Sequence, residues 1–152
     1  MVNSAFNEPV TTKRPKPWTE PGSPEHDALM IKAMSKAGRQ KIIDVVFHGE
    51  KDGYISAEHS TYEAEVILKS GNYIIGYVDA VVSNSGYDDI LVEAKPHLTS
   101  VGDVIRQLKT YSDIYLNTVS YNRLVLVTYD MPSEDVLEFL TNEKITLVTF
   151  DA

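Results

Sequence analysis

Apolar and polar positions alternate through the middle of the chain, and helical spacing replaces that rhythm on either side. Residues 62–68 set Glu63, Glu65 and Ile67 against Ala64, Val66 and Leu68, the pattern of a strand with one buried face. Ser70-Gly71-Asn72 turns the chain back, residues 73–82 form the next strand, Asn84-Ser85-Gly86 turns again, and residues 89–95 form a third. Ahead of this meander, Ser23 and Pro24 suit the cap and first position of a helix. Leu29, Ala33 and Ala37, with Met30 and Met34, give that helix an apolar stripe, and Gly38 suits its end. Residues 42–47 are rich in β-branched side chains and read as a strand, a continued helix being the alternative. Lys51-Asp52-Gly53 reads as a turn.

Beyond the meander, residues 101–116 have the period of a helix with Val104, Leu108 and Ile114 or Tyr115 inward. The run Arg-Leu-Val-Leu-Val-Thr at 123–128 is continuously apolar, as in a strand covered on both faces. Pro132-Ser133 leads into a short helix over 134–140, and residues 145–150 form a last strand. Strand, helix, strand, helix, strand is a right-handed crossover pattern. The predicted fold is α/β, a mixed central β-sheet flanked by helices, as a single domain over residues 23–152. Residues 1–22 carry Pro9, Pro15, Pro17 and Pro21 and read as an extended arm without a core of its own. Trp18 either docks on the domain or on a second subunit, or belongs to a free tail.

Composition narrows the chemistry. The 152 residues include no cysteine, which excludes disulfides, cysteine-ligated zinc and iron–sulfur clusters. No apolar run approaches the length of a membrane helix and the N-terminus lacks a signal-peptide pattern, so a cytoplasmic protein is expected, in the nucleoid region if it acts on DNA. The net charge of −8 argues against a general polyanion binder. The cations are unevenly spread: Lys13, Arg14 and Lys16 lie in the arm, and Lys32, Lys36, Arg39 and Lys41 lie close together.

Three residues of the meander stand out. Glu93 and Lys95 are two apart and share a face of one strand, and Asp79 on the preceding strand can reach the same place. Asp79 lies in the apolar run Tyr-Val-Asp-Ala-Val-Val, where an unpaired carboxylate is costly. Two carboxylates meeting there repel unless a cation lies between them, the alternative being a plain ion pair of Asp79 or Glu93 with Lys95. Mg²⁺ or Mn²⁺ suits such a place, taking carboxylate oxygens, a backbone carbonyl such as that of Ala94, and waters. Lys95 beside it can orient a water or neutralise charge developing on a phosphate. Gln107 and Tyr111, four apart, share one face of the following helix. Further acids can reach the same place. If the strands fold back about Gly71, Asp79 faces Glu63 or Glu65; Glu65 is favoured, with Glu63 and the helical Glu25 as alternatives. The four histidines show no metal-ligand spacing, Asp88 and Asp89 read as turn residues, and His97 lies near enough to Lys95 to touch a phosphate at the rim.

Asp79, then Glu93-Ala94-Lys95, then a helix bearing Gln107-x-x-x-Tyr111, resembles the PD-(D/E)XK nuclease superfamily, and the trailing Gln-x-x-x-Tyr is most similar to its RecB-like branch. The resemblance implies a restriction-endonuclease-like core of order αβββαβ and Mg²⁺- or Mn²⁺-dependent hydrolysis of DNA. It implies Asp79, Glu93 and the Ala94 carbonyl as metal ligands and Lys95 as the catalytic lysine. Gln107 and Tyr111 would position the carboxylates or a phosphate. A stand-alone domain of this kind needs a second active site to cut both strands, so a homodimer or higher homo-oligomer is expected. The competing readings are a catalytically silent relative that binds nucleic acid or serves assembly, an RNA nuclease, and a subunit of a larger restriction, repair or mobile-element machine.

Overall fold

The computed structural model describes residues 10–11, 24–48, 56–116 and 122–152. Six strands form one sheet in chain order: β1 (Val10–Thr11), β2 (Ser60–Ser70), β3 (Tyr73–Asn84), β4 (Asp89–Ala94), β5 (Asn122–Thr128) and β6 (Ile145–Thr149). Neighbours from β1 to β4 run antiparallel, and β4, β5 and β6 run parallel. Helices α1 (Pro24–Met34) and α2 (Lys36–Val46) precede the meander, α3 (Val101–Leu116) joins β4 to β5, and α4 (Glu134–Asn142) joins β5 to β6. The expected mixed sheet flanked by helices, with helix, three strands, helix and strand in succession, is therefore present.

The helices divide the core into two layers. α1 and α2 bury Leu29, Met30, Ile42 and Ile43 against Ala80, Val82, Val92, Val125 and Val127. α3 and α4 bury Leu108, Tyr111 and Leu140 against Val81, Leu91, Leu124 and Leu126 on the opposite face. Strands β4 and β5 are thus covered on both sides, which is why residues 123–128 show no alternation. One face of the sheet takes both crossover helices because both crossovers share one hand.

Residues 42–46 are helical, not a strand, and Phe47 is the C-cap of that helix. The β-branched side chains cost at most about 0.7 kcal/mol each in helix propensity. Burying Ile42 and Ile43 completely returns roughly 1.5–3 kcal/mol apiece, so packing wins. Gly38 does not end the first helix. That break falls at Ser35, whose Oγ accepts from the Gly38 N–H at 3.0 Å and caps α2. Gly38 instead lets α2 cross α1 closely, since a Cβ there would lie 2.2 Å from the Lys32 carbonyl oxygen. The turn expected at 51–53 and the arm around Trp18 lie outside the described residues. Of the arm, Val10 and Thr11 pair with Ile67 and Val66 on β2.

The cluster of cations on α1 and α2 has a structural use. Lys32 and Lys41 donate to the carbonyls of Asp151 and Thr149 at the end of β6, while their ammonium groups sit over the rings of Tyr129 and Phe150. Arg39 lies over the Tyr62 ring and donates to the Met34 carbonyl.

Alanine at position 38 gains about 1 kcal/mol of helix propensity but must displace backbone, which does not give as a side chain does. Gly38→Ala is therefore expected to lower stability by roughly 2–3 kcal/mol, measured by urea unfolding.

Candidate active site

Strands β3 and β4 are paired by backbone only at Ala80↔Val92, Val81↔Leu91 and Val82↔Ile90. The same register places Asp79 opposite Glu93, where the ladder has ended. Beyond that point β4 stays with β5, the Lys95 N–H donating to the Val127 carbonyl. The Ala94 N–H, left without a backbone acceptor on β3, donates to Asp79 Oδ2 at 2.8 Å. The Asp79 side chain thus replaces a ladder bond at the mouth of a split in the sheet.

β2 and β3 are distorted at the same level. Ala64↔Ala80 and Val66↔Val78 are successive rungs of one register, with Glu65 and Asp79 at the position between them. Ala64 and Ala80 pack on the α1/α2 side, whereas Val66 and Val78 pack on the α3/α4 side. Regular strands keep residues two apart on one face. Both strands therefore change face across this rung, and Glu65 absorbs the change with a left-handed φ of 53°. Of the two registers the turn at Gly71 allowed, the observed one sets Asp79 across from Glu65; Glu63 lies opposite Val81.

A histidine that ligand-spacing reasoning passed over completes the cluster. His26, in the first turn of α1, places Nε2 3.0 Å from Asp79 Oδ2 and Nδ1 3.3 Å from Asp27 Oδ1. The hydrogen bond that His26 donates to Asp79 raises the His26 pKa, with burial opposing it. The sequence did contain a signal. His26, Leu29, Met30 and Ala33 stand at i, i+3, i+4 and i+7, so His26 is the polar first position of the buried stripe.

Glu93 is the most constrained member. It is only 4% exposed, and its Oε1 has no hydrogen-bond partner. Lys95 Nζ lies 3.8 Å from Oε2. Burial and then the neighbouring Asp79 charge push the Glu93 pKa well above the ordinary carboxylate range, with Lys95 pulling the other way. A buried carboxylate oxygen without a donor, beside a second carboxylate, fits a cation that this chain would bind through Asp79, Glu93 and the Ala94 carbonyl. Among the described residues no group of three or more His, Asp or Glu is placed to hold a metal ion by itself. A Mg²⁺ ion there would have few protein ligands and would keep several waters.

Gln107 and Tyr111 act together at the edge of this cluster. Gln107 Nε2 donates to the Tyr111 hydroxyl at 2.8 Å. The Tyr111 ring fills the space beside Gly76, where a Cβ would fall 2.5 Å from the hydroxyl, and the hydroxyl also bonds the Tyr77 backbone. Burial raises the Tyr111 pKa, and Glu93 and Asp79 add to the rise. The pair thus holds β3 two residues upstream of Asp79.

Other candidates are engaged elsewhere. Glu25 and Asp130 hold His97 between them, at 2.9 Å from Nε2 and 3.1 Å from Nδ1, so Glu25 is directed to the rim. Asp88 and Asp89 are structural partners as well as turn neighbours, the first bonding Arg123 and the second accepting from the Tyr115 hydroxyl. Arg106 pairs with Asp103, and Lys109 lies 3.6 Å from Glu143.

No family model matches the chain, and no curated protein matches it. Among solved structures it is similar to EndoMS in complex with double-stranded DNA (22% identity, TM-score 0.43, 51% of this chain and 32% of that one). It is also similar to a repair endonuclease from Pyrococcus abyssi (20%, TM-score 0.43, 51% and 34%). A third is AF1548, a protein of unknown function (14%, TM-score 0.49, 73% and 56%). The chain spans about a third of the length of the two endonucleases it matches. Its activity is therefore argued from its own residues.

A carboxyl group whose folded pKa lies above its unfolded value destabilises the fold as it ionises. Without metal, stability is expected to fall as pH rises above 4.5, the ordinary Glu93 value, toward the raised folded value. Glu93→Gln should flatten that slope and raise neutral-pH stability, as urea titrations in EDTA would register. A wild-type slope retained in the variant would show that Glu93 is not its source.

Proposed function

We propose that the protein is a Mg²⁺- or Mn²⁺-dependent nuclease that hydrolyses DNA phosphodiester bonds, as an endonuclease with a restriction-endonuclease-like core. The observation that carries this reading is the buried Glu93 carboxylate, with an orphaned oxygen, set beside Asp79 and within 3.8 Å of the Lys95 ammonium. A structural ion pair would satisfy both oxygens, and a core position would carry no second acid. Asp79, Glu93 and the Ala94 carbonyl would hold the ion, which when bound polarises the scissile phosphate and lowers the pKa of its water.

The chain's own residues do the rest. Lys95 donates toward the attacking water or toward charge that develops on the phosphate oxygens. His26 and the Ala94 N–H hold the Asp79 carboxylate in one orientation through its Oδ2. Gln107 and Tyr111 hold the β3 backbone beside it. Glu65, across from Asp79 in the register, is the acid best placed to reach the same cluster. With a net charge of −8, affinity for DNA is expected to depend on the ion and on a few local cations rather than on a broad basic face.

Supercoiled plasmid DNA should be cut by the wild type with Mn²⁺ or Mg²⁺ and not in EDTA. Lys95→Ala should lose at least about 10²-fold in cleavage rate while still binding Mn²⁺ in calorimetry. Asp79→Ala should lose both cleavage and Mn²⁺ binding. His26→Ala should keep its fold but weaken Mn²⁺ binding by roughly 10–100-fold, as expected for a group that orients a ligand. Tight metal-independent DNA binding without cutting would assign the chain to a silent binding module instead.

A further inference from the structure

The split that forms the site also leaves part of β3 uncovered. β3 has 12 residues and β4 has 6, and their backbone pairing stops at Ala80. Among the described residues, no strand pairs with β3 on its β4 side over residues 73–78. The Tyr111 hydroxyl bonds the Tyr77 backbone, which leaves residues 73–76 as an open edge. This segment is Tyr-Ile-Ile-Gly, and Tyr73, Ile74, Ile75 and the following Tyr77 are exposed by 77, 51, 41 and 46%. The register with β2 slips here, Leu68 pairing with Gly76 and Lys69 with Ile74, so Ile75 is the extra residue of a bulge. An apolar strand edge is a template for another strand, and proteins that leave one bare aggregate through it.

We propose that this edge is occupied by the same segment of a second copy, pairing antiparallel about a two-fold axis to give one continuous sheet through both protomers. Three observations select that occupant. An antiparallel edge is its own complement, since a two-fold axis pairs each donor with the matching acceptor of the other copy. The exposed side chains carry no charge, so here two chains of net charge −8 meet without apposed carboxylates, whereas a polyanion finds no cation among them. Of the N-terminal arm, Val10 and Thr11 pair with β2 and so lie on the far edge of the hairpin. The proposal does not depend on the nuclease reading.

Light scattering and sedimentation of the full chain at about 100 µM, above the micromolar dissociation constant of a modest interface, should give twice the 17.0 kDa chain mass. Ile74→Lys with Ile75→Lys places like charges across the axis and should weaken the dimer at least about a hundredfold, giving a monomer with an unchanged circular dichroism spectrum. Phe139→Ser, which alters an exposed aromatic on α4, should leave the mass unchanged. Hydrogen exchange at the amides of residues 73–76 should slow as protein concentration rises. A wild-type monomer at that concentration, or a dimer indifferent to the lysines, would overturn the proposal. So would protection of those amides that does not vary with concentration, which would assign the edge to a segment of the same chain. Loss of DNA cleavage in the lysine variant is not needed for this test, and intact cleavage would not affect it.

Discussion

A carboxylate taken out of water next to another carboxylate is the constraint on which the rest of this structure turns. Glu93 is buried on a central strand, where a methyl-bearing side chain would pack without penalty, and one of its oxygens finds no donor. The neighbourhood compensates in part. The Ala94 amide and His26 fix Asp79, and Lys95 stands off Glu93 without closing a tight pair. A fold selected for stability alone has no use for such a pair. In the proposed reading a small, hard cation would offset the residual imbalance.

Much of this was legible because it depends on local rhythm. The meander, α3 and the parallel strands follow from period-2 and period-3.6 patterns, and the placement of Asp79 near Glu93 and Lys95 follows from strand order alone. The end of α2 is not legible because β-branched composition imitates a strand, and nothing local announces that Ile42 and Ile43 will be fully buried beneath a close helix crossing at Gly38. His26 shows no ligand spacing to the other histidines; its signal is its place at the head of the buried stripe of its own helix. The opposition of Asp79 and Glu65 followed from the turn at Gly71 once one of two registers was chosen. The change of face at that rung was beyond reach, since it depends on one backbone angle at Glu65.

Charge tells a related story. A chain of net charge −8 has no broad basic face for a polyanion, and several of its cations are already committed internally. Lys32 and Lys41 hold carbonyls at the end of β6, Arg39 covers Tyr62, and Arg123 bonds Asp88. If the proposed nuclease reading holds, recognition of phosphate would be concentrated at the site, where Lys95 and an ion would act at short range, steep in divalent cation and shallow in surface charge.

The parting of β3 from β4 has a mechanical side. The hairpin of β2 and β3 is joined to the parallel half of the sheet by three backbone rungs, and the two acids face each other at the first gap past them. A ligand shared by those acids would act as a rivet across a pivot, stiffening a lever whose far end is the hairpin tip. Whatever grips that tip then pulls on the chemistry at the fulcrum, and whatever fills the fulcrum sets how firmly the tip is held.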